Sequence, residues 1–211
     1  KEQWIDRGGY PTLELKYSWD VKEHLAMVEV KQTQKAEKKD QELLFDLNLS
    51  IGFYTQRGEE TFPVGIKKKE EKFYFKLKRK PLFVRLDPDH TCPCKKVKLE
   101  LPRSMVREQL KRDADPIGRI QAAATLTRNP SHEDVRLLSD CLRKEKFWGV
   151  ANRIASALAK IGGDSARDGL IRGLKSDCPK TRHGVVKALG GFQGDTKVVK
   201  ALRTATGDAS C

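Results

Sequence analysis

The sequence predicts an α+β chain in two domains: an antiparallel β-sandwich over residues 1–102, then an α-solenoid of helix pairs over residues 103–211. Three observations carry this. Apolar residues alternate with period two through the first hundred positions. After Pro102 the apolar spacing becomes helical. The second half then repeats itself at offsets of 32 and 31 residues. Alternation belongs to strands with one buried and one wet face, and a period of this size to stacked helix pairs.

The strands come in order. Leu13, Leu15, Tyr17 and Trp19 alternate with Glu14, Lys16 and Ser18, and Ala26, Val28 and Val30 form the next run. The clearest case is Phe45, Leu47, Leu49, Ile51 and Phe53, interleaved with Asp46, Asn48, Ser50 and Gly52. A short strand near Phe62–Ile66 precedes Phe73, Phe75 and Leu77, then Leu82, Val84 and Leu86, and last Val97, Leu99 and Leu101. About seven strands result. Turn-rich or charged stretches separate them: 35–41, 56–60, 67–72, 78–81 and 87–96.

Helix signals follow from Ser104. Asp115-Pro116 reads as an N-cap and first helical residue, Ser131 with Asp134 as a capping box, and Asp177 as a cap before Pro179. Gly162-Gly163-Asp164 and residues 190–195 supply stops followed by fresh caps. Residues 118–126 (GRIQAAATL), 150–158 (VANRIASAL) and 181–189 (TRHGVVKAL) superimpose, and Leu138/Leu142 and Leu170/Leu174 stand in register on the partner helices. Small Ala and Gly permit close stacking. The pattern resembles short HEAT-type repeats.

The 211 residues carry a net charge of +13, and the stretch 66–112 holds 16 Lys and Arg against 6 Asp and Glu. Lys67–Lys69 run straight into Glu70 and Glu71 in an apparent hairpin turn, and Lys76, Lys78 and Lys80 take the wet side of a strand. Lysines there also discourage edge pairing. The basic middle therefore reads as a solvated sheet face, with a polyanion-binding surface as the alternative. Stacking aromatics are not interleaved on it, so nucleic acid is not the expected partner. No run of about 18 apolar residues occurs, so no membrane-spanning helix is expected. The chain opens at Lys1-Glu2-Gln3-Trp4 without a Met and reads as a piece of something longer. Five cysteines without framework spacing read as buried or free thiols of a reducing compartment, which gives cytoplasmic as the expected location.

Motifs that carry chemistry are sparse. His132-Glu133-Asp134-Val135-Arg136 has Arg136 where a zinc-protease helix needs its second His, so it reads as an acid-rich helix start. His90, Cys92 and Cys94 cluster in a turn; the expected role is an ordinary hairpin tip, with metal binding and a redox pair as alternatives. No Gly-rich phosphate loop and no Gly-x-Ser-x-Gly elbow occurs. His24 and His183 lack a nearby Cys or Ser with an obvious partner, and His183 reads as a surface or groove residue.

The stretch Trp4-Ile5-Asp6-Arg7-Gly8-Gly9-Tyr10-Pro11-Thr12-Leu13-Glu14-Leu15 resembles the segment that ends the catalytic domain of M1-family zinc aminopeptidases and enters their β-sandwich. Val28-Glu29-Val30-Lys31-Gln32-Thr33-Gln34, the long strand after it, and Phe83-Val84-Arg85-Leu86-Asp87-Pro88 continue the likeness, and helical repeats follow as in that family. The resemblance implies the non-catalytic C-terminal part of such an enzyme, packed on its catalytic domain and restricting peptide access to the active site. The family's HExxH zinc motif, distal Glu, G-x-M-E-N clamp and catalytic Tyr match nothing here and would lie upstream. No catalytic, cofactor-binding or metal residue is therefore expected in this chain, and zinc would sit in the parent's catalytic domain. The implied partners are that domain and the parent's peptide substrates. In relatives an Arg of the helical domain can meet substrate; Arg119, Arg153 and Arg182 stand on repeat helices, and the sequence does not choose among them. An interaction scaffold related to these peptidases is the alternative.

Overall fold

The computed structural model describes residues 9–34, 43–94 and 96–205. The chain forms two compact units, Lys1–Met105 and Val106–Cys211. Trp4 to Gly8 of the quoted opening, the 35–41 separator and Cys211 lie outside the described residues.

The first unit holds β1 (Thr12–Asp20), β2 (Leu25–Gln32), β3 (Leu47–Thr55), β4 (Gly58–Ile66), β5 (Glu70–Lys76), β6 (Phe83–Leu86) and β7 (Lys96–Glu100). They make two sheets, β5-β2-β1-β7 and β4-β3-β6. The alternation does its expected work. Leu13, Leu15, Val28 and Val30 from one sheet meet Leu47, Leu49, Ile51, Val64 and Ile66 from the other in one core. Phe53, Phe62 and Phe75 pack at its centre with ring centroids 5.0–5.8 Å apart. All pairs are antiparallel except β1 with β7, which run parallel.

Two expected hairpins are corrected. Residues 67–69 join β4 of one sheet to β5 of the other, and the segment that follows β6 leads to β7 in the same way, so both connections cross between sheets. Alternation reveals which face a residue occupies and leaves its strand's partner open. The 56–60 separator is in part β4, whose outer half is exposed and charged because it lies on a sheet edge. β6 buries both faces: Val84 enters the core, and Phe83 stacks on Tyr54 at 4.5 Å.

The second unit contains α1 (Arg103–Arg112, which begins in the first unit), α2 (Pro116–Leu126), α3 (His132–Lys144), α4 (Trp148–Ile161), α5 (Gly163–Gly173), α6 (Pro179–Leu189) and α7 (Thr196–Ala205). The three superimposed segments are α2, α4 and α6, which stack on one another, while α3, α5 and α7 stack as their partners. Asp115 caps α2 with Pro116 at its first turn. Ser131 and Asp134 form the reciprocal box at α3. Asp195 accepts from the amides of Lys197 and Val198 at the start of α7. One cap is corrected: Cys178, not Asp177, stands at the N-cap of α6, since Pro179 begins the helix directly. Gly162 ends α4 at φ 72° and also opens α5, so no linker separates them. At Gly169 the approach of α5 to α3 is so close that an added Cβ would sit 2.1 Å from Ser139 Oγ.

Candidate functional site

The cross-sheet loop after β6 is organised by Asp87, which is buried and has φ 50°. Its Oδ1 accepts from the amide and hydroxyl of Thr91 at 2.9 and 2.6 Å, and its Oδ2 from the Cys92 amide at 2.8 Å. Cys92 and Cys94 are joined in a disulfide, with Cα atoms 5.3 Å apart. This corrects the free-thiol expectation at both positions and leaves those two sulfurs without the thiolate that ligates a metal. His90 points its Nε2 at Arg85 Nη2, 3.4 Å away. Among the described residues no group of three His, Cys, Asp or Glu could hold a metal ion.

Part of the basic stretch lies in paired charge, at Lys67, Lys72 and Lys98. On the wet face of the four-stranded sheet, register places Lys98, Glu14, Lys31 and Glu70 side by side across β7, β1, β2 and β5. The neighbouring row reads Glu100, Lys16, Glu29 and Lys72. Signs alternate along each row and between rows, as cross-strand pairing favours. Lys31–Glu70 and Lys72–Glu29 close to 3.4 and 3.2 Å. Hydrogen bonding and attraction from Glu29 hold the Lys72 ammonium above its usual range, and Lys98 holds the Glu100 carboxyl below its own.

A polar clasp lies where β2 ends. Gln32 is buried; its Nε2 donates to Phe45 O at 2.8 Å and to Lys68 O at 3.3 Å, while its Oε1 accepts from Phe45 N at 3.0 Å. Gln34 Nε2 donates to Gln32 Oε1 and to Leu43 O, and its Oε1 accepts from Thr12 N. The two amides thus stitch β1 and β2 to the entry of β3. They give physical content to the Gln32-Thr33-Gln34 run that the sequence singled out.

In the helical unit the arginines hold joints. Arg119 donates from Nη1 to Asp113 O and Ala114 O at 2.8 and 3.0 Å, and forms a bidentate pair with Glu145 at 2.9 and 3.0 Å. Arg182, at the equivalent repeat position, donates to Ser176 O at 2.7 Å. Each clamps the loop that enters its own helix. Arg153 is exposed on α4. Arg107 fastens the start of α3 through Asp134 at 2.7 Å, Ser131 Oγ at 3.1 Å and Glu133. Arg167 draws Asp164, Asp168 and the capping Asp195 together at 2.8–2.9 Å. The His132–Arg136 segment is a capped helix start, as read from its acids. His183 is exposed, and His24 Nδ1 lies 3.2 Å from Lys78 O.

Sequence reasoning missed one surface. Phe147 and Trp148 open α4 and are 43% and 42% exposed, with ring centroids 6.0 Å apart. Lys180, at the start of α6, holds its Nζ 5.0 Å from the Trp148 ring centre. Gly149 seats the pair, because a Cβ there would meet the Phe147 ring at 2.8 Å. The signal was the Lys146-Phe147-Trp148 run falling in a loop between repeats, where a core has no use for two aromatics. Cys178 lies two residues before Lys180; hydrogen bonds from Thr181 hold its thiol below the usual range. The Cys141 thiol is pushed up to about 11 by burial. A shallow depression lined by Thr196, Val199, Lys200, Arg203 and Thr204 belongs to the single helix α7.

Among known families, the model for HEAT repeats matches residues 135–210, which runs from within α3 to beyond α7. No curated protein matches the chain. Among solved structures the chain is similar to Legionella pneumophila aminopeptidase A, crystallised in complex with aspartic acid, at 14% identity and a TM-score of 0.45. That likeness covers 94% of this chain and 23% of that one, so the chain spans about a quarter of its length. The architecture is thus a two-sheet β unit followed by HEAT-like helix pairs.

Proposed function

We propose that the chain is the non-catalytic C-terminal region of an M1-like zinc aminopeptidase, where it packs on the catalytic domain and restricts substrate access. The observation that carries this reading is how the buried charge of the helical unit is used. Arg107, Arg119 and Arg167 each lock one helix or loop to another. Side chains committed to such joints make a rigid wall and are not free to move protons or hold substrate. The Trp4–Leu15 resemblance and the order of sandwich, then repeats, support the family reading.

The experiment compares an intact parent carrying HExxH with the same parent lacking residues 106–211. The reading expects the truncated enzyme to gain activity on long or folded substrates relative to an aminoacyl reporter. An unchanged ratio with the zinc centre intact would refute it.

A further inference from the structure

We propose that the edge formed by Lys146, Phe147, Trp148, Lys175 and Lys180 is a docking site for a short acidic segment of a partner protein that presents an aromatic or aliphatic anchor.

The placement follows from the repeat. The loops that join one helix pair to the next bring the end of α3 to the start of α4, and the end of α5 to the start of α6. Because α4 stacks on α6, both loops lie at the same end of the stack. Lys146, Lys175 and Lys180 are exposed there and make no ion pair among the described residues. Of the acids in the two loops, Glu145 is held by Arg119, and Asp177 is exposed. The opposite ends of the helices differ, since Asp134, Asp164 and Asp195 there each face an arginine. The edge is therefore cationic, in a unit that is itself basic, with 20 Lys and Arg against 12 Asp and Glu over residues 106–211. The uncapped, acid-free first turns of α4 and α6 add in the same sense.

The apolar part is preformed. Phe147 rests over Gly149 and Trp148 is held under Lys180, so two rings are presented in fixed positions. Exposed aromatics at a cationic edge are what a hot spot for an acidic, anchored peptide requires. Charge complementarity chooses the occupant. A second copy of this chain is a poor fit, because each copy carries +13 and the edge would meet a basic protein. Nucleobases are the other ligand that exposed rings beside lysines suit, and oligothymidylate is therefore the competitor in the test. The proposal does not depend on the peptidase reading, so the two fail separately.

The test uses the full chain and an array of short labelled peptides that vary independently in acidic content and in one anchor position (Phe, Leu or Ser), with oligothymidylate as competitor. Anisotropy is expected to select acidic peptides with Phe or Leu. Lys146→Glu with Lys180→Glu should weaken them by roughly tenfold or more, and Trp148→Ala by roughly thirtyfold. The bound peptide should also slow alkylation of Cys178, read by peptide mapping. Circular dichroism checks each variant; if Trp148→Ala loses helix, the lysine variants decide alone. Equal binding by the lysine variants, binding of no peptide, or stronger binding of oligothymidylate would each overturn the proposal.

Discussion

Replacing Gln32 with Met keeps the side chain's length and removes all of its hydrogen bonding. In the folded protein Gln32 serves both backbone groups of Phe45, donating at 2.8 Å and accepting at 3.0 Å, in a buried setting. Each buried group left unmade costs about 1–3 kcal/mol, so Gln32→Met should cost about 2–5 kcal/mol. For a domain of this size that lowers Tm by roughly 10–20 °C. The local readout is amide exchange at Phe45, whose N–H loses its acceptor, and the global one is thermal unfolding followed by the sheet signal. Gln32→Glu probes the same clasp through pH. At neutral pH the carboxylate cannot donate to Phe45 O, and burial beside that carbonyl raises its pKa above the unfolded value. Protonation restores the donor, so this variant should recover stability as pH falls through the carboxylate range. Unchanged Tm and unchanged Phe45 exchange in Gln32→Met would refute the clasp.

Three further outcomes follow from the helical unit and its thiols. Gly169→Ala should cost about 1–3 kcal/mol by driving a methyl into Ser139, and Ser139→Gly in the same chain should recover most of it in a double-mutant cycle on urea unfolding. Arg119→Met should cost about 3 kcal/mol on urea unfolding, because Glu145 is left without its partner; unchanged stability would refute the joint. Iodoacetamide at neutral pH should modify Cys178 well before Cys141, and labelling of Cys141 should rise only as the pH climbs toward its thiol's value of about 11. The Cys141 shift is upward, so the stability it contributes is present below the ordinary thiol range and is lost as pH rises toward that value.

Periodicity was the most legible property of the sequence. The Phe45–Phe53 alternation placed the core face of β3, and the 32- and 31-residue offsets placed α2, α4 and α6. Local cap chemistry was legible too, at Asp115-Pro116 and at Ser131 with Asp134, because a cap needs only neighbours a few residues away. Register was not. Whether Lys67–Glu71 turns back on its own sheet or crosses to another depends on which strand lies alongside, and alternation is silent about that. The same gap hid the alternating rows Lys98–Glu14–Lys31–Glu70 and Glu100–Lys16–Glu29–Lys72, which set Lys72 and Lys98 of the basic stretch beside acids of neighbouring strands. Arg119 and Arg182 look like free helix-surface cations in a one-dimensional reading, yet their reach of five or six residues back to loop carbonyls uses them for assembly. Phe147 and Trp148 went unremarked because they lie just outside the repeat's periodic positions.

On the proposed reading, the chemistry of the implied parent lies outside these residues. The direct measurement incubates the purified chain with zinc and a panel of aminoacyl reporters, with chelator-treated protein as reference. The account predicts no release of reporter above the zinc-only blank. Turnover that scales with protein and disappears on chelation would contradict it.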